Sequence, residues 1–123
     1  MPKILISIKP KYVDKILSGN KKYEYRKIKP KRKVDKMIIY STCPVMKVVG
    51  EVQILDIIED SIYNLWESTN KYSGVSKDKF YNYFNNKDIG YAYKLGKVIK
   101  YDKPKELFEI GINYVPQSFI YID

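Results

Sequence analysis

The chain has 123 residues, with 23 Lys and Arg against 14 Asp and Glu for a net charge of +9; that length suits one domain over residues 1–123, burying roughly two-thirds of its unfolded surface without needing disulfides or a structural metal. The single Cys43 cannot form an internal bridge, and with no histidine in the sequence a zinc site has no imidazole to draw on. No metal and no cofactor are expected, and the apolar run Ile4–Ile8 is too short for a signal-peptide core or a membrane span, so the expected setting is reducing and cytoplasmic, with no membrane partner.

The charge is unevenly placed. Residues 1–50 carry 14 basic and 3 acidic side chains, whereas residues 51–123 carry 9 basic and 11 acidic ones. Such a basic first half favours a polyanionic partner, because lysines that neutralise phosphates gain affinity by releasing counterions. The plainer alternative is a compositional bias: Lys outnumbers Arg 21 to 2. That bias accounts for the choice of Lys over Arg but not for the scarcity of acids in the first 50 residues.

In chain order, Ile4, Ile6 and Ile8 alternate with Leu5, Ser7 and Lys9, the pattern of a short strand. Pro10 suits the first position of a helix whose stripe is Tyr12, Val13, Ile16 and Leu17, and Gly19 suits its left-handed C-terminal cap. From Lys22 to Ile28 the period returns to two, with Tyr23 and Tyr25 on one face and Glu24 and Arg26 on the other. Lys29–Lys33 reads as an exposed basic loop. Met37–Tyr40 is a buried strand running into the turn Ser41–Pro44, a strand-end position where sites often lie.

Val48–Ile58 is the longest predicted strand. A helix capped by Asp60 or Ser61 follows, carrying Ile62, Leu65 and Trp66; a second, starting at Ser76, is expected to bury Phe80, Tyr83 and Phe84. Both are assigned a packing role. Ile89–Tyr101 returns to strand, with Gly96 as a bulge or a close backbone approach. A loop with Pro104, a turn around Leu107–Phe108, and the closing strand Phe119–Ile122 complete the chain. The expected fold class is α+β: a small mixed β-barrel of five to six strands flanked by two to three helices.

One segment supports a site. Gly19–Arg26 reads G-x-K-x-x-E-x-R, and it spends one of only two arginines in a lysine-rich chain. Guanidinium offers a planar, bidentate fork that ammonium cannot reproduce. If exposed, the same charges would be worth only about 0–1 kcal/mol as surface pairs.

This octapeptide, placed after an opening strand and helix, resembles the signature of the ASCH domains, a branch of the PUA-like superfamily. The likeness extends to Lys9-Pro10, the strand entering Ser41-Thr42, Val49-Gly50-Glu51 and Tyr91-Ala92-Tyr93. It implies a PUA-like barrel with Lys21, Glu24 and Arg26 lining a cleft beside the first helix. It also implies RNA or nucleotide-like ligands, with transcriptional coactivation in some members. One bacterial member is a hydrolase of N4-acetylcytidine and another a ribonuclease. In the amidohydrolase branch a Thr stands where this chain has Glu24, which removes the proposed hydroxyl nucleophile.

The residues themselves leave binding and catalysis open. As a binding site, Lys21 and Arg26 would meet phosphate or a base edge, Glu24 would hold Arg26 or accept from an exocyclic amine, and exposed tyrosines could stack on bases. Lys9, Ser41, Thr42, Gln117 and Ser118 are further candidates for the cleft wall. RNA or a modified nucleoside is the expected partner. As an enzyme, a small-amide or nucleoside hydrolase or a ribonuclease, the catalytic pair would be Lys21 and Glu24. Lys21 serves as a base only if desolvated or crowded by cations, and Glu24 beside it is expected to keep it protonated. A third class, a protein-interaction domain, would require a sizeable exposed apolar patch.

Overall fold

Alternating apolar residues make the strands, and their pairing makes one mixed six-stranded sheet in the order β2-β5-β4-β3-β1-β6. A computed structural model describes residues 2–122. The strands are β1 (Lys3–Ile8), β2 (Tyr23–Arg26), β3 (Lys36–Ser41), β4 (Lys47–Ser61), β5 (Ile89–Lys105) and β6 (Phe119–Ile122); the helices are α1 (Pro10–Leu17), α2 (Ile62–Thr69) and α3 (Lys77–Tyr83). Only β1 and β3 run parallel, with Ile4 opposite Met37 and Ile6 opposite Ile39. The other neighbours are antiparallel.

The α+β expectation holds, and the sheet curls like a barrel without closing. β2 and β6 are its two edges. Side chains bridge part of the gap: Tyr121 hydroxyl accepts from the backbone N–H of Lys31 and Arg32 at 2.7 and 3.1 Å, and Tyr93 hydroxyl donates to the Ile28 carbonyl at 2.7 Å. The basic loop is therefore anchored rather than merely exposed, and its Pro30 is buried.

The core has three parts. Ile4, Ile6, Ile8, Val13, Ile16, Met37 and Ile39 fill the space between the concave sheet and α1. On the opposite face, Leu5, Ile38, Tyr40 and Val48 are covered by Leu107, Ile110 and Ile112 around a short 3-10 turn. Tyr25, Leu65, Phe80, Phe84 and Ala92 seat α2 and α3 against β2 and β5. Phe80 is central there, with Tyr25 and Trp66 both 4.9 Å away, ring centre to ring centre.

The helix boundaries follow their capping chemistry. Pro10 occupies the first turn of α1, and Gly19 adopts a left-handed φ of +86° just beyond its end. Ser61 and Ser76 accept from backbone N–H groups in the first turns of α2 and α3.

Three local expectations are corrected. β5 continues through Pro104 to Lys105, where a loop was expected, because pairing with β4 is loose there: only Val48 opposite Lys105 extends the ladder beyond Gly50 opposite Lys100. β2 stops at Arg26, short of Ile28, since its one partner strand ends its register with Tyr91. Tyr83 is exposed, because Phe80 and Phe84 take the buried stripe of α3.

Candidate functional site

The signature segment places its charges at a junction. Gly19 ends α1, three residues turn the chain, and β2 enters as an edge strand with Glu24 opposite Tyr93 and Arg26 opposite Tyr91. Period two puts Glu24 and Arg26 on one side, facing a cleft of about 570 Å³. Its floor is Lys21, Glu24, Arg26 and Ser7, and Tyr12, Tyr25, Phe80 and Tyr83 supply aromatic walls.

The floor charges form a chain. Arg26 donates from Nε to Oε2 of Glu24 at 2.9 Å, and its Nη2 lies 2.7 Å from the same oxygen as an ion pair. Nη2 also reaches the Ser7 carbonyl at 2.9 Å, and Nη1 lies 3.4 Å from Ser118 Oγ. Arg26 on edge strand β2 thus bonds to β1 and to the residue just before β6. Glu24 Oε1 faces the Lys21 ammonium at 4.0 Å, and the side chains of Lys21 and Glu24 are only 2% and 9% exposed. With those exposures the surface-pair estimate does not apply: these are buried charges that need one another.

Lys21 is held from three directions. Its Nζ donates to the Ser73 carbonyl at 2.5 Å, and it lies 5.6 Å over the Tyr12 ring and 5.0 Å over the Tyr25 ring. The Tyr25 ring is fixed in turn by its hydroxyl, 2.7 Å from Thr69 Oγ1, which itself sits 2.6 Å from the Leu65 carbonyl. Since the threonine proton goes to that carbonyl, the tyrosine donates. Burial keeps the Tyr25 hydroxyl protonated, its pKa pushed up to about 12.

Glu24 favours the protonated Lys21, as expected, but does not hold it at its ordinary pKa. Burial dominates and lowers the ammonium from 10.5 to about 8; Glu24 opposes the shift, while Lys15 and Arg26 add to it. Burial also works against the Arg26 charge, but there the Glu24 carboxylate prevails and holds the guanidinium above its ordinary value.

The structure brings together Lys9, Lys21, Glu24 and Arg26, with Ser118 touching Arg26. It does not bring in the others. Ser41 is buried beside a second, separate cavity near Asp14, Leu17 and Tyr101. Thr42 serves its turn: its N–H donates to Ile8, and its carbonyl accepts from Val45 and Met46. Gln117 is exposed outside the cleft lining. Among the described residues, no three His, Cys, Asp or Glu side chains gather as a metal site would require.

The packing role assigned to α3 is too narrow, whereas α2 packs as expected. Val75, Lys79, Phe80, Asn82 and Tyr83 form one wall of the cleft. Lys79, Asn82 and Tyr83 fall at i, i+3 and i+4, so a polar helix face beside a buried aromatic one was the available signal. The contact to the Ser73 carbonyl left no side-chain signal at all.

Gly74 shows how tightly this wall meets the floor. It has φ +70°, and a Cβ there would lie 2.6 Å from Lys21 Cγ and 2.7 Å from its Cβ. Gly74→Ala is expected to cost about 1–2 kcal/mol through the left-handed backbone alone and to displace Lys21 as well. Urea denaturation should show a lower midpoint at unchanged slope; an unchanged midpoint would contradict the packing described.

The ASCH domain model matches residues 6–112. The chain belongs to the ASCH domain family. Crystal structures of the ASCH protein from Zymomonas mobilis superpose with a TM-score of 0.90 at 26% identity, covering 98% of this chain and 87% of that one. An ASCH domain-containing ribonuclease of Zymomonas mobilis is 28% identical over 91% of this chain and 78% of its own length. Two Ureaplasma parvum proteins also match over 97% of this chain. One is named ATP synthase subunit alpha, at 36% identity, and the other large ribosomal subunit protein uL22, at 32%. This ASCH chain spans only 15% and 39% of their lengths, so those names describe proteins of which the matched part is a fraction. No helix of the ASCH chain is long and apolar enough to cross a membrane.

Proposed function

We infer that this chain acts as one ASCH domain over residues 1–123, in the cytoplasm, binding RNA or a modified nucleoside in the cleft around Lys21, Glu24 and Arg26. The observation that carries this reading is a polar floor beneath aromatic walls. Lys21 offers donors, Glu24 Oε1 has, among the described residues, no partner closer than the 4.0 Å ammonium, and four rings surround them. A base can stack on the rings and present its hydrogen-bonding edge to that pair. The basic loop starts at the same end: Lys27 lies 4.8 Å over the Tyr83 ring and Lys29 5.8 Å over Tyr91, which pairs with Arg26. Phosphates of a longer strand would follow these cations, a role that fits RNA regulation, including transcription.

Anisotropy of a labelled single-stranded RNA at two salt concentrations tests this. Binding at about 50 mM salt that weakens at least about tenfold by about 200 mM is the expected result. No binding at low salt would remove the proposal.

A second reading, hydrolysis, is favoured by one observation. With a pKa of about 8, Lys21 can exchange a proton near neutral pH, and Glu24 lies beside it. The Zymomonas relative is named a ribonuclease. Incubating the protein with single-stranded RNA, and separately with N4-acetylcytidine, followed by chromatography, decides between cleavage, deacylation and binding alone.

A further inference from the structure

Residues 73–75 close the cleft at its Lys21 end. The Ser73 carbonyl takes the Lys21 ammonium, Gly74 packs on the Lys21 side chain, and Val75 belongs to the lining. Tyr72, the residue before them, is fixed through its backbone: its carbonyl accepts from the Lys22 N–H at 2.9 Å. The ring of Tyr72 has no packing duty to match. It is 42% exposed and belongs to none of the three core clusters. Two ammonium groups attend it instead, Lys22 at 5.1 Å and Lys71 at 5.5 Å from the ring centre. Both lysines are exposed, and among the described residues neither has a carboxylate within ion-pair distance.

The other end of the floor carries a similar group. Lys27, the residue after Arg26, lies 4.8 Å over the ring of Tyr83, which lines the cleft and is itself exposed. Lys21, Glu24 and Arg26 follow one another along β2 and the residues leading into it, so the two tyrosine–lysine groups bracket them. The four residues of β2 alone separate the groups by roughly 10 Å, more room than the single base on the floor takes up. An exposed ring beside cations that lack a carboxylate partner suits single-stranded nucleic acid: every base has a face to stack, and the ammonium groups meet the phosphates on either side of it. We propose that Tyr72, with Lys22 and Lys71, is a second stacking station for single-stranded RNA, taking a base that neighbours the one in the cleft, so that the ligand is an internal stretch of a strand and not a free nucleoside or mononucleotide. This rests on the reading of the cleft as a base-binding site and extends it along the strand.

Anisotropy of a short labelled single-stranded RNA, measured with the full chain over a range of salt concentrations, tests it. Tyr72→Ala should weaken RNA binding at least about fivefold, while Tyr72→Phe, which keeps the ring, should stay within about twofold of the parent. The Lys22→Ala/Lys71→Ala double variant should make the dependence of log affinity on log salt shallower by about 1.4, the share of two phosphate contacts on a single strand, and Tyr72→Ala should leave that slope unchanged. These side chains are exposed and the backbone bond between residues 72 and 22 survives each substitution, so thermal melting should be unchanged. Should a variant melt lower, the parent decides: RNA carrying 5-iodouridine, irradiated on the unaltered chain, must cross-link to the peptide that holds Tyr72. RNA affinity that is unchanged in Tyr72→Ala, or lost equally in Tyr72→Phe, overturns the station and leaves the base-binding cleft standing. An unaltered salt slope in the double lysine variant, or no cross-link at Tyr72, overturns it too. Absence of RNA binding by the parent ends both readings.

Discussion

Replacing Glu24 with alanine is expected to destabilise the domain by about 3–5 kcal/mol, because it leaves the buried Lys21 ammonium and Arg26 guanidinium facing each other with no counter-charge. Glu24 Oε2 accepts from Arg26 Nε and pairs with its Nη2 at 2.7 Å, and the side chains of Lys21 and Arg26 are 2% and 13% exposed, so water cannot replace it well. At this chain length the loss corresponds to a melting temperature lower by about 10–20 °C. Glu24→Gln keeps an acceptor for Arg26 and should lose roughly half as much. Thermal unfolding followed by circular dichroism measures both. A Glu24→Ala variant within about 0.5 kcal/mol of the parent would mean that the cluster is solvated and that its ion pairs carry no more than surface pairs do. Because Arg26 also bonds to Ser7 and Ser118, the same variant should loosen the contact between β2 and the β1–β6 edge, seen as faster amide exchange there.

Lys21→Met should separate stability from function. Methionine fills a similar volume without a charge. The buried ammonium has a folded pKa of about 8 against an ordinary 10.5, so at pH 7 its burial costs up to about 3 kcal/mol. Losing the hydrogen bond to the Ser73 carbonyl returns about 1 kcal/mol of that. The variant is therefore expected to be more stable at pH 7, by about 1–2 kcal/mol. The sign with pH follows from proton binding. Between pH 8 and 10.5 the unfolded chain holds the Lys21 proton that the folded chain has released. The parent's stability relative to Lys21→Met therefore rises across that window and is full only above it. As pH falls through 8, that contribution is lost. RNA affinity of the variant should fall at least about tenfold if Lys21 donates to the ligand. A Met variant that binds RNA like the parent would show that the amine serves the fold and not the ligand. A destabilised variant would show that the contacts to Ser73, Tyr12 and Tyr25 outweigh its burial.

Such a trade is common where a site keeps a buried charge that a core would do better without. It explains why the cluster is built around Glu24. One carboxylate lowers the cost of two cations, and the bonds from Arg26 to Ser7 and Ser118 let the same charges tie the edges of an unclosed sheet.

Most of the fold was legible because its signals are local. Ile4, Ile6 and Ile8 alternate, Pro10 and Gly19 bracket a helix, and Ser61 and Ser76 cap two more, each within reach of a few neighbouring residues. The errors fell where distant partners decide. Pro104 stays in a strand because β4 is only loosely paired there, and Tyr83 turns outward because Phe80 and Phe84 meet Tyr25. Of the proposed cleft residues, those within the signature could be found by spacing. Ser41 and Thr42 could not be excluded, since a strand-end turn looks alike whichever side of α1 it occupies.

What the sequence determined by itself was the resemblance of Gly19–Arg26 to the ASCH signature and, through chain periodicity, the α+β order of elements and the placing of Glu24 and Arg26 on one side of one strand. The tertiary structure alone decided the electrostatics. Lys21 loses water to Tyr12, Tyr25 and the Ser73–Gly74 segment, which lies 52 residues away at Ser73, and that loss outweighs the carboxylate three residues along. Desolvation depends on every atom packed around a charge, so no local reading of Gly19–Arg26 could have set the pKa of its central lysine.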